Sequence, residues 1–285
     1  MFRLFIFLLV STNCLLLSHE AKAEQVRTSY VSIPVSYQQK NWGLAGKLNV
    51  PLGGKNTAAV LIVHGSSGVD SRGQLHTSSL NKKGFTTLEI DLWAARGWVG
   101  KQRGRPANVA ETLPDTFAAL NYLQHLDGID RDKIGILGFS WGGVVSMLVR
   151  NEFNQYQFGY GHGFAANVAF YPVCWVYNKV PGYELENLVN RPLLIQTGAD
   201  DDYDLASSCD EWRQSLDDTA KSHVEITVYK DAGHAFNTNA APIEVTDPFS
   251  HLGKGGQVIM KSNAQARAKS DQATVDFFAE NLAGQ

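Results

Sequence analysis

A serine flanked by glycines is the residue of this chain best suited to act as a nucleophile. Gly138-Phe-Ser-Trp-Gly142 fits the pattern G-x-S-x-G. A short β-prone run, residues 133–139, precedes the serine, and an apolar segment that can form a buried helix, residues 141–149, follows it. A sharp strand-to-helix turn presents a serine hydroxyl to a carbonyl carbon, and glycines permit that turn. Because Gly and Ser are common residues, the motif needs partners elsewhere in the chain.

The first partner must be a base, since a free hydroxyl is a poor nucleophile at neutral pH. His234 lies in Asp231-Ala-Gly-His-Ala-Phe236, directly after the last predicted strand and after the serine in chain order. The other histidines lie in or beside predicted helices or strands, except for the loop residues His162 and His251, which the sequence leaves open. We therefore expect His234 to be the base.

The second partner must be a carboxylate that holds the imidazole in one tautomer. The predicted strand at residues 192–197 runs into Gly198-Ala-Asp-Asp-Asp-Tyr-Asp204, upstream of the histidine. The chain order Ser, Asp, His is typical of one hydrolase architecture. One of the four acids in this turn is expected to serve, and the others to be solvated loop or N-cap carboxylates. These are Asp200, Asp201, Asp202 and Asp204.

Attack on a carbonyl also requires backbone N–H groups that stabilise the oxyanion. The amide of Trp141, directly after the serine, is one candidate. The loop Val63-His-Gly-Ser-Ser-Gly68 follows an early strand, and its Ser66 amide is the other candidate. An ordinary strand-end turn is the alternative interpretation of this loop. His64 is expected to support the loop by hydrogen bonding.

Apolar β-type runs alternate with helix-like segments from residue 30 onwards, which predicts a mostly parallel sheet with helices on both faces. Residues 30–36 and 44–50 form an antiparallel opening pair, and a helix is expected at residues 205–219. Functional groups of such α/β folds gather beyond the carboxyl ends of the strands. We expect residues 24–285 to form one domain. The other predicted strands are residues 58–63, 85–90, 134–138, 166–171, 192–197 and 224–229, and the other helices are residues 73–82, 108–126 and 263–282.

Composition describes a globular chain of 285 residues, of which 44% are hydrophobic and 19% charged. The net charge of -3 argues against nucleic acid as the main partner. Residues 1–23 combine Arg3, an apolar stretch and an A-x-A cleavage site at Ala21-Lys-Ala23, which predicts a signal peptide and a periplasmic or secreted protein. A membrane anchor is disfavoured because the apolar stretch is short and Ser11-Thr-Asn13 interrupts it. The sequence does not indicate an oligomeric state.

Cleavage after residue 23 would leave two cysteines, Cys174 and Cys209. In an oxidising compartment two remaining thiols are more often paired than free. A disulfide between them would contribute about 3–4 kcal/mol in the chain-entropy model. Two separate buried thiols are the alternative.

Taken together, the motifs resemble the dienelactone hydrolase-like branch of the α/β-hydrolases over residues 44–282. The resemblance implies an α/β-hydrolase fold with no metal and no organic cofactor, and Asp201 as the acid, with Asp200 as the alternative. It also implies that a Cys174–Cys209 disulfide braces the acid loop. The matching segments are Gly46-Lys-Leu-Asn-Val-Pro51, Val63-His-Gly-Ser-Ser-Gly-Val-Asp70, Asp91-Leu-Trp-Ala-Ala-Arg-Gly97, the serine turn, Phe170-Tyr-Pro-Val-Cys174, Gly198-Ala-Asp-Asp-Asp202 and Gly233-His-Ala-Phe236.

The chain departs from the family's namesake enzyme, which is intracellular and has a cysteine nucleophile. Ser140 and the export signal favour general ester hydrolysis over dienelactone turnover. Two features bear on the substrate. Four cations follow one strand end: Arg96, Lys101, Arg103 and Arg105. They are expected either to bind a substrate carboxylate or other anion, with Arg96 and Arg103 as the candidate ligands, or to form a solvated charged loop. Aromatic residues near strand ends, including Tyr203, either line an apolar pocket or pack in the core.

We therefore predict a serine hydrolase that cleaves small carboxylic esters or lactones through an acyl-enzyme on Ser140. Its partner is a small-molecule substrate. A peptidase, an amidase or an acyltransferase with the same three residues is the nearest alternative. A non-catalytic binding protein on the same scaffold is the alternative from another class. The long connection at residues 237–261 is expected to be a lid or one wall of the pocket.

Overall fold

The computed structural model describes residues 25–53, 56–96 and 105–282. Eight strands form the central sheet in the order β1-β2-β4-β3-β5-β6-β7-β8, and two more form a separate hairpin, β9–β10. The strands are β1 (Val26–Tyr37), β2 (Lys40–Pro51), β3 (Ala59–Val63), β4 (Thr86–Asp91), β5 (Ile134–Phe139), β6 (Ala166–Phe170), β7 (Leu193–Gly198), β8 (Val224–Tyr229), β9 (Ile243–Asp247) and β10 (Gly256–Met260).

The sheet is mostly parallel. β1 pairs antiparallel with β2, and β2 pairs antiparallel with β4. Every pair from β4 through to β8 is parallel. This arrangement confirms the predicted fold class, and it places the carboxyl ends of β3, β5, β6, β7 and β8 at one edge of the sheet.

Helices cover both faces of the sheet because its strands are apolar on both sides. In β3 every residue is buried; Leu61 and Val63 belong to one core cluster, and Val60 and Ile62 to the other. Side chains of a strand alternate between faces, so the two clusters lie on opposite faces of the sheet. The helices are α1 (Ser71–Lys82), α2 (Leu113–Gln124), α3 (Trp141–Leu148), α4 (Glu152–Gly159), α5 (Ser208–Gln214), α6 (Asp218–Ser222), α7 (Ser250–Gly253) and α8 (Ala264–Leu282).

The two clusters divide the helices between the faces. Leu80 of α1 and Phe278 of α8 belong to one cluster, whereas Phe117 of α2 and Val145 of α3 belong to the other. Within the described ranges, no helix combines the length and apolarity needed to cross a bilayer.

The structure changes or adds to the expected elements at three places. The helix expected at residues 205–219 is two helices, because the Asp217 carboxylate accepts from the amides of Thr219 and Ala220 and starts α6 anew. Helix α4 was not expected from the sequence; its hydrophobic residues are largely exposed. The connection at residues 237–261 contains the β9–β10 hairpin and α7.

Glu89 of β4 is a buried carboxyl that should make stability depend on pH. It is only 7% exposed, and Lys47 faces it on the neighbouring strand. Burial raises the pKa of Glu89 to about 7, and the nearby Asp70 and Asp91 carboxylates also raise it. A folded-state pKa that lies above the unfolded-state pKa stabilises the fold at pH values below the unfolded-state pKa. This contribution to stability is lost as the pH rises through the folded-state pKa.

We expect Glu89→Gln to unfold at higher urea concentration than wild type at pH 8, with a smaller or reversed difference at pH 5. The reason is that the glutamine amide carries no charge to bury. The expected gain in the free energy of unfolding at pH 8 is on the order of 1–3 kcal/mol. Urea titrations at both pH values measure it, with exposed Glu280→Gln as the control. A Glu89→Gln difference independent of pH would contradict the prediction.

Candidate active site

Ser140 lies at a sharp turn between β5 and α3. Its backbone has φ 51° and ψ −108°, a conformation that L-residues rarely adopt. The turn is tight enough to require glycines: a Cβ on Gly138 would lie 1.8 Å from the Gly142 oxygen, and one on Gly142 would lie 2.1 Å from the Val63 oxygen. The Ser140 amide donates to the Phe170 carbonyl of β6 (3.0 Å). The side chain is therefore presented at the carboxyl edge of the sheet.

His234 lies in the loop that follows β8 and faces the serine. Its Nε2 is 2.9 Å from Ser140 Oγ, and its side chain is 2% exposed. On the other side of the ring, Nδ1 lies 2.9 Å and 3.0 Å from the two carboxylate oxygens of Asp201. A carboxylate can only accept, so Nδ1 carries the proton and Nε2 is free to accept from the Ser140 hydroxyl.

The loop after β7 supplies that carboxylate. Asp201 is buried, and the Tyr203 amide donates to its Oδ1 (2.8 Å). Asp200, the alternative acid, is exposed, and its amide donates to the Ala232 carbonyl (2.9 Å), which ties the acid loop to the histidine loop. Because β7 and β8 are parallel neighbours, the loops that follow them meet at one edge.

Of the remaining acids of this loop, Asp202 is half-buried, and Asp204, contrary to expectation, is not a solvated carboxylate. Asp204 is buried, and one of its carboxylate oxygens lies within 4.8 Å of the sulfurs of Cys174 and Cys209. Burial raises the pKa of Asp204 to about 6. Asp202 accepts at Oδ2 from the Ile259 amide of β10 (2.9 Å). Loop composition alone did not indicate these tertiary partners.

Cys174 and Cys209 form a disulfide, as predicted. Cys209 belongs to α5, directly after the acid loop, and Cys174 follows the turn at the end of β6. The bond therefore joins the segment after β6 to the start of α5, which follows the acid loop.

The loop after β3 approaches the serine closely. A Cβ on Gly65 would lie 3.2 Å from the Phe139 carbonyl oxygen and 3.5 Å from Ser140 Cβ, so this loop packs directly against the serine turn. His64 holds this loop: its Nδ1 donates to the Gly65 carbonyl (2.7 Å), and its Nε2 accepts from the Leu92 amide (2.9 Å). Ser66 and Trp141 both line the cavity above Ser140. Trp141 is the first residue of α3, and such an amide has no acceptor within its own helix.

The cavity at Ser140 has a volume of about 500 Å³. One part of its wall is apolar and aromatic, and another part is polar and cationic. Residues of the hairpin segment complete it, so the connection at residues 237–261 is one wall of the pocket. The apolar lining includes Val144, Val173, Trp175, Val176, Val180, Tyr183 and Met260, and the polar lining includes Ser67, Arg72, Arg105, Asn108 and Asp247.

The family model for the dienelactone hydrolase family matches residues 45–282. The chain belongs to this family. Its members are carboxylic ester hydrolases, and this chain is an enzyme of that class.

Individual relatives of this dienelactone hydrolase family member are distant. A Bradyrhizobium sp. protein named "Probable 2-oxo-3-(5-oxofuran-2-ylidene)propanoate lactonase" is 24% identical over 191 residues, which cover 63% of this chain and 73% of the relative. Esterase 2 of Thermogutta terrifontis superposes with a TM-score of 0.63 at 16% identity, over 90% of this chain and 96% of that one. A dienelactone hydrolase-like promiscuous phosphotriesterase from metagenomic libraries superposes with a TM-score of 0.60 at 18% identity, over 90% of this chain and 99% of that one. At these identities the structures show a shared fold.

Arg96, predicted to bind a substrate anion, does not reach the cavity of this family member. Its guanidinium pairs with the fully buried Asp115 carboxylate (2.6 Å) and lies over the ring of Trp42, 5.2 Å from the centroid. It lines a separate, wider groove. In the structure a buried acid, distant in sequence, pairs with this cation, and binding of a substrate anion by Arg96 stays a prediction. Arg103 and the predicted signal peptide at residues 1–23 lie outside the described residues.

Two other residues from the sequence do line the cavity. Tyr203 contacts the imidazole of His234, with 4.3 Å between ring centroids. Arg105, a member of the same cation cluster as Arg96, extends over the ring of Trp141, 5.4 Å from the centroid.

A buried polar network beside His234 was not predicted. Arg72 lines the cavity, pairs with Asp70 and donates from Nη1 to the Tyr171 hydroxyl (3.1 Å). That hydroxyl donates to Asn237 Oδ1 (2.6 Å) in the loop of His234. Burial raises the pKa of Tyr171 to about 12, so the hydroxyl keeps its proton. An isolated arginine in a sequence carries no sign that it will be buried.

Proposed function

We propose that this chain is a serine hydrolase that cleaves small carboxylic esters or lactones through an acyl-enzyme on Ser140. The observation that carries the proposal is the continuous hydrogen-bonded path from Ser140 Oγ through His234 to Asp201, with 2.9 Å between Oγ and Nε2 and 2.9 Å between Nδ1 and Oδ2. This order and these distances suit a nucleophile, a base and a carboxylate that orients the base.

In the first half-reaction, His234 Nε2 takes the Ser140 proton as Oγ attacks the ester carbonyl. Asp201 stabilises the imidazolium that forms and stays ionised. The carbonyl oxygen becomes an oxyanion, for which the Ser66 and Trp141 amides are the proposed donors. The imidazolium then protonates the leaving alkoxide, and the acyl group remains on Oγ.

In the second half-reaction, His234 takes a proton from water, which attacks the acyl carbonyl. The tetrahedral intermediate collapses, the acid is released and Oγ recovers its proton from the imidazolium. For a lactone the alcohol stays attached to the acyl group, so a single hydroxy acid leaves.

Covalent labelling and substrate panels test this proposal. We expect a fluorophosphonate probe to label Ser140, as located by peptide mass analysis, and p-nitrophenyl esters to be hydrolysed far faster than matched p-nitroanilides. An unlabelled Ser140 would favour a binding protein on a hydrolase scaffold. Faster anilide cleavage would favour an amidase or peptidase, and acyl transfer to added alcohols in preference to water would favour an acyltransferase.

Arg105 is the cation that we propose as a selector for anionic substrates, in the place first predicted for Arg96 and Arg103. It lines the cavity, and its guanidinium lies 5.4 Å from the ring centroid of Trp141, the residue directly after Ser140. Arg105→Gln should lower kcat/KM about tenfold for esters with a carboxylate in the acyl group, a loss equivalent to about 1.4 kcal/mol. For neutral esters of the same size, kcat/KM should stay within about twofold.

Steady-state kinetics on a matched pair, such as p-nitrophenyl hemisuccinate and p-nitrophenyl valerate, measure this effect. Arg131→Gln makes the same charge change outside the cavity lining and is the control. Equal losses for both esters in Arg105→Gln would refute charge selection.

We also propose that the chain is exported to the periplasm or the medium after cleavage behind Ala23. The A-x-A site supports this, and so does the Cys174–Cys209 disulfide, because disulfides persist in oxidising compartments. N-terminal sequencing of the protein from fractionated cells should begin at Glu24. An intact Met1 in the cytoplasmic fraction would contradict the proposal.

A further inference from the structure

The β9–β10 hairpin is attached to the loop that carries Asp201. Among the described residues, its strands pair with each other and not with the central sheet. A two-stranded hairpin is marginally stable by itself, so its position depends on contacts with the rest of the chain. Three hydrogen bonds join it to the acid loop: His251 amide to Asp202 carbonyl (2.7 Å), Ile259 amide to Asp202 Oδ2 (2.9 Å) and Tyr203 hydroxyl to Asp247 Oδ2 (2.9 Å).

Tyr203 is the residue that connects this hairpin to the reacting groups. At one end its hydroxyl donates to Asp247, the last residue of β9. At the other end its amide donates to Asp201 Oδ1 (2.8 Å). The residue is 8% exposed, and its ring lies against the imidazole of His234, with 4.3 Å between centroids, and forms part of the cavity wall. One side chain therefore touches the base, the substrate space and the hairpin.

The hydroxyl of Tyr203 is suited to a fixed connection. Burial, with the adjacent Asp247 carboxylate, raises the pKa of Tyr203 well above that of free tyrosine, so the hydroxyl keeps its proton. A donor bonded to a carboxylate makes a stronger hydrogen bond than a neutral pair does. Asp247 Oδ1 meanwhile accepts from the Phe249 amide (2.8 Å), which fixes the carboxylate to the turn of the hairpin.

We propose that Tyr203 is a positioning residue that couples the hairpin wall of the cavity to the His234–Asp201 pair. Contacts of the ester with Asp247, Phe249 and Met260 on that wall are thereby linked to the alignment of the base. This inference rests on the proposed function, because it assigns to Tyr203 the orientation of a base that acts on Ser140.

Removal of the hydroxyl alone tests the coupling. Tyr203→Phe keeps the ring against His234 and leaves the cavity shape unchanged, so KM should stay within about twofold. Loss of alignment should lower kcat about tenfold for small and large acyl esters alike. Asp247→Ala removes the acceptor and should lower kcat to a similar extent. In the double variant the two losses should not multiply, since both break one connection.

A matched tyrosine provides the control. Tyr229 is also buried, and its hydroxyl donates to Gln196 Oε1 (2.6 Å) in the core, away from the hairpin. Tyr229→Phe should keep wild-type kcat. Hydrogen–deuterium exchange over residues 243–260 should rise in Tyr203→Phe and Asp247→Ala and stay at the wild-type level in Tyr229→Phe.

Three results would overturn the coupling: wild-type kcat in Tyr203→Phe, multiplicative losses in the double variant, or an equal loss in Tyr229→Phe. None of these affects labelling of Ser140 by the fluorophosphonate probe. Loss of labelling in the wild-type enzyme would instead refute the proposed function. The two failures can therefore be distinguished.

Discussion

Ser140→Ala should lower kcat for p-nitrophenyl esters by about 10⁶-fold, which leaves only the residual rate that oxyanion donors and binding supply. Ser140 is the only hydroxyl that donates to, or accepts from, His234 in the described part of the chain. Alanine removes Oγ and leaves the backbone turn and the cavity in place. Burst and steady-state kinetics at substrate concentrations above KM measure the loss.

The fold of Ser140→Ala should be unaffected, because the serine hydroxyl is not a structural partner of the turn. The melting temperature should match that of wild type within a few degrees. Ser78→Ala, at a half-buried position of α1, makes the same change away from the site and should retain full activity. A Ser140→Ala enzyme with wild-type kcat would show that the acyl group is carried elsewhere or that no acyl-enzyme forms.

Asp201→Asn should lower kcat by about 10⁴-fold. The N–H of an asparagine amide placed against Nδ1 can donate a hydrogen bond, which favours the tautomer with the hydrogen on Nε2. That hydrogen would point at Ser140 Oγ, so the imidazole could no longer accept the hydroxyl proton. The side chain keeps its size, and its oxygen can still accept from the Tyr203 amide.

Asp200→Asn is the matched control for this substitution. It changes the adjacent acid, which is exposed and lies one residue away, and kcat should stay within about twofold of wild type. Stopped-flow or steady-state assays of both variants on one ester measure the contrast. If Asp200→Asn showed the greater loss, Asp201 would not be the acid that orients His234.

The serine turn and the order of strands were predictable because their signals are local. Burial of every residue in β3 follows from its unbroken apolar run, and the glycines at 138 and 142 are required by a turn that has no room for a Cβ. The chain order of Ser140, Asp201 and His234 follows from where strands end. Such features depend on residues that are neighbours in the sequence, so the sequence alone indicates them.

Features that depend on distant partners were not predictable. Arg96 and Arg105 belong to one cation cluster, yet Arg96 pairs with buried Asp115 and Arg105 lines the cavity. Nothing in the local sequence distinguishes them. The β9–β10 hairpin was not predicted for a similar reason. Its strands are short and partly exposed, so they lack a strong apolar alternation. Burial of Asp204 beside the disulfide likewise depends on tertiary packing.

In the described part of the chain, the β9–β10 hairpin is not hydrogen-bonded to the central sheet, so it is a segment from which new activities could be obtained. Residues 243–260 can in principle be exchanged as a cassette, because no strand of the eight-stranded sheet loses a pairing partner. A library built there would vary the acyl range while the core sequence stays constant. Any useful replacement must still supply an acceptor for the Tyr203 hydroxyl at position 247 and backbone amides that donate to Asp202 at positions 251 and 259, where any residue except proline suffices.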